Sequence, residues 1–140
     1  MASATTAAHI HAPTAVPFAG TAGVATQTPS FDAFPLGVTS GTYDHTFDLA
    51  LASTYNPDFI AANGGMISGA LNALDFAMDD GKAYLNIHTT AFPGGEIRGF
   101  LFDTAQVSSA PEPTSFVFMG LGAGLGATAF VLRRRQGPCA

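Results

Sequence analysis

Hydrophobic and polar residues alternate in several short stretches of the first hundred residues, a pattern typical of strands that are buried on one face. The segments 7–11, 23–28 and 43–49 each follow this period of two. Pro13 and Pro29 lie just beyond the first two segments and favour ending them, because proline cannot donate a hydrogen bond to a strand ladder. We therefore expect three short strands in the first half of the chain.

The region 82–102 predicts a β-hairpin. Residues 82–89 and 96–102 both alternate as strands, and residues 91–95 separate them. This connection contains Gly94 and Gly95, and glycine adopts the positive φ angles that tight loops require. The two strands are therefore expected to pair in antiparallel fashion.

Two stretches between these strands predict helices. Asn56, Pro57 and Asp58 combine an N-cap residue, a proline in the first turn and an acid near the positive end of the helix dipole. In residues 66–78 the hydrophobic positions recur at helical spacing, and glycine follows at position 81, where a helix commonly ends. We expect one short helix and one longer helix inserted before the hairpin.

The C-terminal part of the chain predicts a membrane span. Residues 114–132 contain no charge, and a helix of 19 residues is about 28 Å long, close to one hydrocarbon thickness. Arg133, Arg134 and Arg135 follow directly and are expected to stay in the cytoplasm, which places the body outside. A helix buried in a soluble domain is the alternative, but this segment has no polar face. The predicted domains are a β domain (1–105), a linker (106–113), a transmembrane helix (114–132) and a basic cytoplasmic tail (133–140).

Charge and composition narrow the function classes. Residues 1–110 carry nine acidic and two basic side chains, so this body has a net charge of −7 and is poorly suited to bind nucleic acid. Cys139 is the only cysteine, which excludes an intramolecular disulfide. Motifs for nucleophilic catalysis or phosphate binding do not occur, and we expect no enzymatic activity.

Three histidines form a candidate metal site. His9 and His11 are two residues apart and share one face of a strand, and His88 faces away from the aliphatic residues of the hairpin. The three imidazoles are therefore expected on the wetter face, where an H-x-H pair and a third histidine suit Cu or Zn. His45 is a candidate fourth ligand. The alternative is that these histidines only bond to backbone carbonyls or acids.

Glu96 and Arg98 are also two residues apart, on the return strand of the hairpin. Their shared face predicts a structural cross-strand network with Asn86 or His88.

The tail resembles a PEP-CTERM sorting signal. Pro111, Glu112 and Pro113 precede the apolar span, and the arginine cluster follows it, so all three parts of the signal occur in order. The resemblance implies a Gram-negative bacterium, handling by an exosortase, and an association with exopolysaccharide and biofilm. It also implies processing that can remove the span and leave the body at the surface or released.

The body resembles the CHRD domain, named after repeats in chordin and common in bacterial secreted proteins. The motifs that carry the resemblance are Ala8-His9-Ile10-His11 followed by Pro13, Tyr84-Leu85-Asn86-Ile87-His88-Thr89, and Pro93-Gly94-Gly95-Glu96-Ile97-Arg98-Gly99. Members of this family place more strands ahead of the His-Ile-His segment. Only six residues precede Ala7, and the first eight residues lack the features of a signal peptide. We therefore expect that N-terminal strands and a signal peptide are missing from this chain.

Together these features predict a mostly-β fold, an immunoglobulin-like or Greek-key β-sandwich with one or two inserted helices, plus the C-terminal transmembrane helix. The expected protein is exported and sorted to the cell envelope or extracellular matrix, and it has a non-enzymatic role in binding or adhesion. Its expected partners are exosortase-type sorting machinery, the membrane, and exopolysaccharide or surface proteins. The alternative is an envelope domain that binds Cu or Zn through His9, His11 and His88, with or without redox activity.

Overall fold

The computed structural model describes residues 3–102 of the chain. These residues form one antiparallel three-stranded sheet and two α-helices, which confirms the predicted β-rich fold with inserted helices. In chain order the elements are strand β1 (Thr5–His11), a 3-10 turn (Ala52–Thr54), helix α1 (Pro57–Ala62), helix α2 (Ile67–Asp79), strand β2 (Ala83–Thr89) and strand β3 (Ile97–Leu101).

The sheet has the order β1-β2-β3, with β2 at its centre. β2 and β3 form the predicted hairpin, in which Asn86 lies opposite Arg98. β1 pairs with the other edge of β2, so that His9 lies opposite Asn86 and His11 opposite Tyr84. The central strand is thus paired on both sides and joins the two ends of the described chain.

The outer edge of β1 is covered by irregular backbone. Ala25 N–H donates to the Ile10 carbonyl at 2.9 Å, and Phe31 N–H donates to the Ala8 carbonyl at 3.0 Å. Near the start of the strand, Gly37 N–H donates to the Thr5 carbonyl at 2.8 Å. These bonds satisfy backbone groups that an edge strand would otherwise leave exposed.

Two of the predicted strands are wrong. Residues 23–28 run beside β1 but form only isolated bridges, because the Thr26 hydroxyl accepts the Ile10 N–H at 2.9 Å and takes the place of a ladder carbonyl. Residues 43–49 have no pairing strand within the described chain. Their aromatic side chains do share one face, as the alternation predicts, with the Tyr43 and His45 rings stacked 5.8 Å apart.

Both predicted helices are confirmed. Asn56 caps α1, its side chain accepting the Asp58 N–H at 3.0 Å, and its amide also donates to the Val24 carbonyl at 3.1 Å. α2 ends at Asp79, and Gly81 follows just after it with a φ of +64°, in the left-handed region that glycine favours.

The core lies between α2 and the sheet. Ala70, Leu74 and Ala77 form the buried side of α2. They belong to one cluster with Tyr55, Phe59 and Ala83, and Ala83 is the first residue of β2. This packing fixes the start of the strand that carries His88. Burial of a leucine such as Leu74 contributes about 2 kcal/mol.

The aliphatic face of the sheet, to which Ala83 also belongs, borders an apolar groove of about 450 Å³. Ile10, Leu85 and Ile87 line it from the sheet, and segment 31–47 lines it with aromatic side chains. A second sheet, which a sandwich requires, does not occur within residues 3–102.

The chain divides into two units, Met1–Thr104 and Ala105–Ala140, and the described residues belong to the first. The predicted linker at 106–113, transmembrane helix at 114–132 and basic tail at 133–140 lie outside these residues. Neither helix in the described part of the chain is long and apolar enough to cross a membrane.

The two roles of Asn56 generate a stability prediction. We expect Asn56→Ala to lower the free energy of unfolding by about 1–2 kcal/mol, because it removes both the helix cap and the bond to the Val24 carbonyl. Asn56→Asp keeps the capping acceptor and should lose about half as much. Urea unfolding of the two variants measures the difference, and equal losses would contradict the capping role.

Candidate metal centre

The pairing of β1 with β2 brings the three predicted histidines together. His9 and His11 project from the same side of β1, and His88 projects from the side of β2 that also carries Tyr84 and Asn86. Ala7 lies opposite His88. Its methyl group leaves space for the His88 imidazole to lean toward the other two rings.

The three rings form a nearly equilateral triangle. Their centroids are 5.9 Å apart for His9 and His11, 5.2 Å for His9 and His88, and 5.7 Å for His11 and His88. One potential ligand atom of each histidine lies within 4.8 Å of the others. The structure therefore brings together all three residues that the sequence proposed as metal ligands.

Backbone carbonyls fix the tautomer of each ring. His9 Nε2 lies 2.6 Å from the Pro29 oxygen, His11 Nδ1 lies 2.9 Å from the Ala22 oxygen, and His88 Nδ1 lies 2.7 Å from the Pro93 oxygen. A carbonyl can only accept a hydrogen bond, so each of these ring nitrogens must be the donor. In a neutral imidazole the second nitrogen then carries a free lone pair.

The remaining ring nitrogens are the ones that a metal would bind. His9 Nδ1, His11 Nε2 and His88 Nε2 are buried and have no hydrogen-bond partner within residues 3–102. In metal-bound histidines, the ring nitrogen that does not bind the metal commonly donates a hydrogen bond to a backbone carbonyl, which orients the ring. Bonding to backbone carbonyls, the alternative considered from the sequence, accounts for only one nitrogen of each ring.

Burial disfavours the protonated form of two of the histidines. Removal from water is the main cause that lowers the pKa of His9 below the ordinary value of 6.5. Repulsion from His88 and His11 lowers this pKa further, whereas the hydrogen bond to the Pro29 carbonyl raises it. Burial is also the main cause that lowers the pKa of His11. Repulsion from His88 and Arg98 lowers this pKa further, and the hydrogen bond to the Ala22 carbonyl raises it. The neutral form is the form that coordinates a metal.

The expectation that the histidines lie on a wetter face is wrong for two of them. His9 is 7% exposed and His11 8%, whereas His88 is half-buried. The reason is the irregular segment after β1, whose Ala22 and Pro29 carbonyls contact the two rings. The cluster is therefore closed on the β1 side and more open at His88.

His45 does not join the cluster, so its prediction as a fourth ligand is wrong. It lines the apolar groove together with Ile10 and Ile87, which point away from the histidine face of the sheet. Its ring stacks on Tyr43 and contacts Phe47 edge-on at 4.6 Å. The sheet itself separates His45 from the other three imidazoles.

The donor set fits a Cu or Zn ion. Metal–nitrogen bonds of about 2.0–2.1 Å place tetrahedral nitrogen ligands about 3.4 Å apart. The potential ligand atoms lie within 4.8 Å of one another here, so the rings would have to move closer together to bind a tetrahedral ion. No Asp, Glu or Cys of the described chain belongs to the group, so all three of its side chains are imidazoles.

Sequence reasoning missed a stack of side chains behind His11. The Tyr84 ring lies parallel to the His11 ring, with the centroids 5.0 Å apart, and the Arg98 guanidinium lies 4.1 Å from the Tyr84 centroid. Tyr84 Oη accepts the N–H of Ala22, the residue whose carbonyl holds His11. The alternation of β2 placed Tyr84 on the histidine face, but its contact with His11 depends on the β1–β2 register.

Asn86 lies between Tyr84 and His88 on the histidine face of β2. It is 4% exposed, and its amide donates to the Gly94 carbonyl at 3.0 Å. Gly95 has a φ of +116°, and a Cβ there would overlap the Asn86 amide. The turn glycine is thus required by close approach as well as by backbone conformation. Arg98 lies opposite Asn86, as the predicted network requires, but its side chain turns toward Tyr84 and the Gly20 carbonyl.

The lowered pKa values generate a prediction about the metal-free protein. Well above pH 6.5, His9 and His11 are neutral in both folded and unfolded chains, so they impose no pH-dependent cost on folding. As the pH falls below 6.5, the unfolded chain binds protons first, so the free energy of unfolding should decrease. Urea unfolding in a chelator at pH 7.5, 6.5 and 5.5 measures this.

A His9→Gln/His11→Gln variant is the control for that prediction. It should lose part of the dependence between pH 7.5 and 5.5, because glutamine does not titrate. Identical pH profiles for the variant and the unaltered chain would contradict the assignment.

Comparison with known protein families agrees with the motifs around these histidines. Residues 2–101 match the family model of the CHRD domain, a region that contains His9, His11 and His88. Comparison with curated proteins found no match, and comparison with solved structures found none either. The match covers more than two thirds of the 140 residues. The chain therefore belongs to the CHRD domain family.

Proposed function

We propose that this CHRD domain binds one copper or zinc ion through His9, His11 and His88. The observation that carries the proposal is the set of three buried lone pairs, on His9 Nδ1, His11 Nε2 and His88 Nε2, none with a partner within residues 3–102. The opposite nitrogen of each ring is held by a backbone carbonyl. The rings are therefore oriented before any ion arrives, which reduces the entropy lost on binding.

The energetics favour a cation over other occupants. A buried acceptor without a partner costs about 1–3 kcal/mol, so three of them cost a large part of a typical stability of about 5–15 kcal/mol. One water molecule has two hydrogens and cannot donate to three acceptors at once. A single metal ion satisfies all three lone pairs together. The role proposed is metal binding without turnover.

The C-terminal motif supports a location for this domain. We propose that Pro111, Glu112 and Pro113, the span 114–132 and the arginines that follow it form an exosortase-dependent sorting signal. The domain would then lie outside the cytoplasm, anchored in the inner membrane and processed to the surface or secreted. Exopolysaccharide and surface proteins are the partners that this resemblance implies, and binding or adhesion among them is the broader role.

We also propose that the sheet is one half of an immunoglobulin-like or Greek-key sandwich. The support is its aliphatic face, where Ile10, Leu85 and Ile87 are only half-buried beside the apolar groove. A second sheet packed about 10 Å away would bury this face. The histidine cluster lies on the opposite side, so it does not depend on how the aliphatic face is covered.

Metal binding can be measured directly. The full chain, purified in mild detergent without a polyhistidine tag, should take up one equivalent of Cu or Zn. An ion at 100 times its dissociation constant should raise the free energy of unfolding by about 2.7 kcal/mol. His9→Ala, His11→Ala and His88→Ala should each remove most of the uptake and the stabilisation, as measured by elemental analysis and thermal unfolding.

His45→Ala is the matched control for these variants. It removes one imidazole from the groove side of the sheet, so uptake should stay at one equivalent. Loss of uptake in His45→Ala but not in His11→Ala would place the metal elsewhere. An unaltered chain that stays empty at micromolar metal would refute the proposal.

The sorting proposal has its own test. A periplasmic reporter fused to residues 106–140 should reach the cell surface in a host with an exosortase and stay in the inner membrane of a host without one. Replacing Pro111, Glu112 and Pro113 by alanine should abolish the difference, because the span remains while the recognition motif is lost. Cell fractionation reports the outcome, and surface display that survives the replacement would contradict a role for the motif.

A further inference from the structure

A positive charge lies behind one of the proposed metal ligands. The Arg98 guanidinium covers one face of Tyr84 at 4.1 Å, and Tyr84 stacks on His11 with an angle of 9° between the ring planes. Arg98 also donates to the Gly20 carbonyl, in the loop that carries Ala22. The guanidinium therefore contacts two aromatic rings, Tyr84 and Phe100, and one backbone carbonyl.

The three proposed ligands carry no negative charge that would offset the positive charge of an ion. All three are neutral imidazoles, and the cluster includes no carboxylate or thiolate of residues 3–102. Imidazole ligands suit Zn and Cu alike, so the ligand type does not by itself select the charge of the ion. Here each additional unit of charge on the ion adds to the cost of burial and to the repulsion from Arg98.

The field of Arg98 reaches His11 itself. Its guanidinium carbon lies 4.1 Å from the Tyr84 centroid, and that centroid lies 5.0 Å from the His11 centroid, so its positive charge is close enough to repel a cation held on the His11 ring. An ion on His11 Nε2 would meet the same repulsion, in proportion to its charge. A divalent ion therefore loses about twice as much as a monovalent one.

We propose that the three-histidine site prefers monovalent copper, Cu⁺, over the divalent ions Zn²⁺ and Cu²⁺, and that Arg98 sets part of this preference. The inference rests on the proposed metal-binding function and names the ion that the site takes. Arg98 touches no ligand atom and acts through charge, so it is a specificity-determining residue and not a ligand. Tyr84 holds it at the correct side of His11.

Arg98→Gln provides the test in the full chain. Dissociation constants for Cu⁺ and Zn²⁺ are measured anaerobically by competition with chromophoric chelators. The Zn²⁺ affinity should rise more than the Cu⁺ affinity, by roughly two- to fifteenfold for a charge about 10 Å away, with the lower values applying because Arg98 is exposed. The reduction potential of the copper-loaded chain should fall, because removing the charge stabilises Cu²⁺ more than Cu⁺.

Matched variants separate charge from packing. Arg98→Lys keeps the charge and should retain most of the preference. Lys82→Gln removes the other Lys or Arg of residues 3–102, whose ammonium group is paired with Asp80 at 2.7 Å. This variant should change neither the ratio of the Cu⁺ and Zn²⁺ affinities nor the reduction potential. Gly23→Asp adds an acid beside Ala22, where a Cβ meets nothing within 4 Å, and should shift the preference in the same direction as Arg98→Gln.

The possible results separate the proposed preference for Cu⁺ from the proposed metal-binding function on which it rests. An unaltered chain that binds neither ion refutes the metal-binding function itself. A chain that binds Zn²⁺ more tightly than Cu⁺ refutes the proposed preference and leaves metal binding intact. Equal changes for both ions in Arg98→Gln and in Gly23→Asp, with no change in potential, refute the role of Arg98. Gly23→Asp keeps the test decisive even when Arg98→Gln fails to fold.

Discussion

Antiparallel pairing of β1 with β2 joins segments that are more than 70 residues apart in the chain. It places a pair of histidines beside a third and sets Tyr84 against His11. Helix α2 supports this pairing from the other side, because Leu74 and its neighbours pack at the start of β2. A shift of one residue in the β1–β2 register would turn His9 and His11 to the aliphatic face and disperse the cluster.

The irregular backbone between β1 and the helices completes the centre. Few of its carbonyls accept hydrogen bonds within a helix or a sheet, so they can accept hydrogen bonds from side chains. Two of them accept from His9 and His11, and a third, in the hairpin loop, accepts from His88. The strands thus bring the three rings together, and two loops without regular secondary structure orient them.

Local patterns in the sequence were sufficient for the elements that depend on local interactions. The cap at Asn56, the helical spacing of α2 and the glycines of the hairpin loop each act within a few residues, and all were predicted correctly. The alternation of β1 and β2 also placed the three histidines on one face. The candidate ligands could therefore be identified from the amino-acid sequence alone.

Features that depend on long-range contacts could not be predicted in this way. The burial of His9 and His11 comes from a loop that has no sequence period, and the stack of Arg98 on Tyr84 requires the β2–β3 register. His45 shows the same limit, since alternation fixed its face within its own segment but not the side of the sheet on which that segment lies. Hydrophobic periodicity describes one element at a time.

The three carbonyls that hold the imidazoles belong to the main chain, and this has a consequence for how the protein can vary. Exchanging the side chain of Ala22 for another leaves its carbonyl oxygen in place, because the oxygen belongs to the backbone. The Pro29 carbonyl lies in the same loop after β1, and the Pro93 carbonyl lies in the hairpin loop. Inserting or deleting one residue in either loop would instead move the oxygen away from its ring. The centre should therefore tolerate changes in loop composition and be sensitive to loop length.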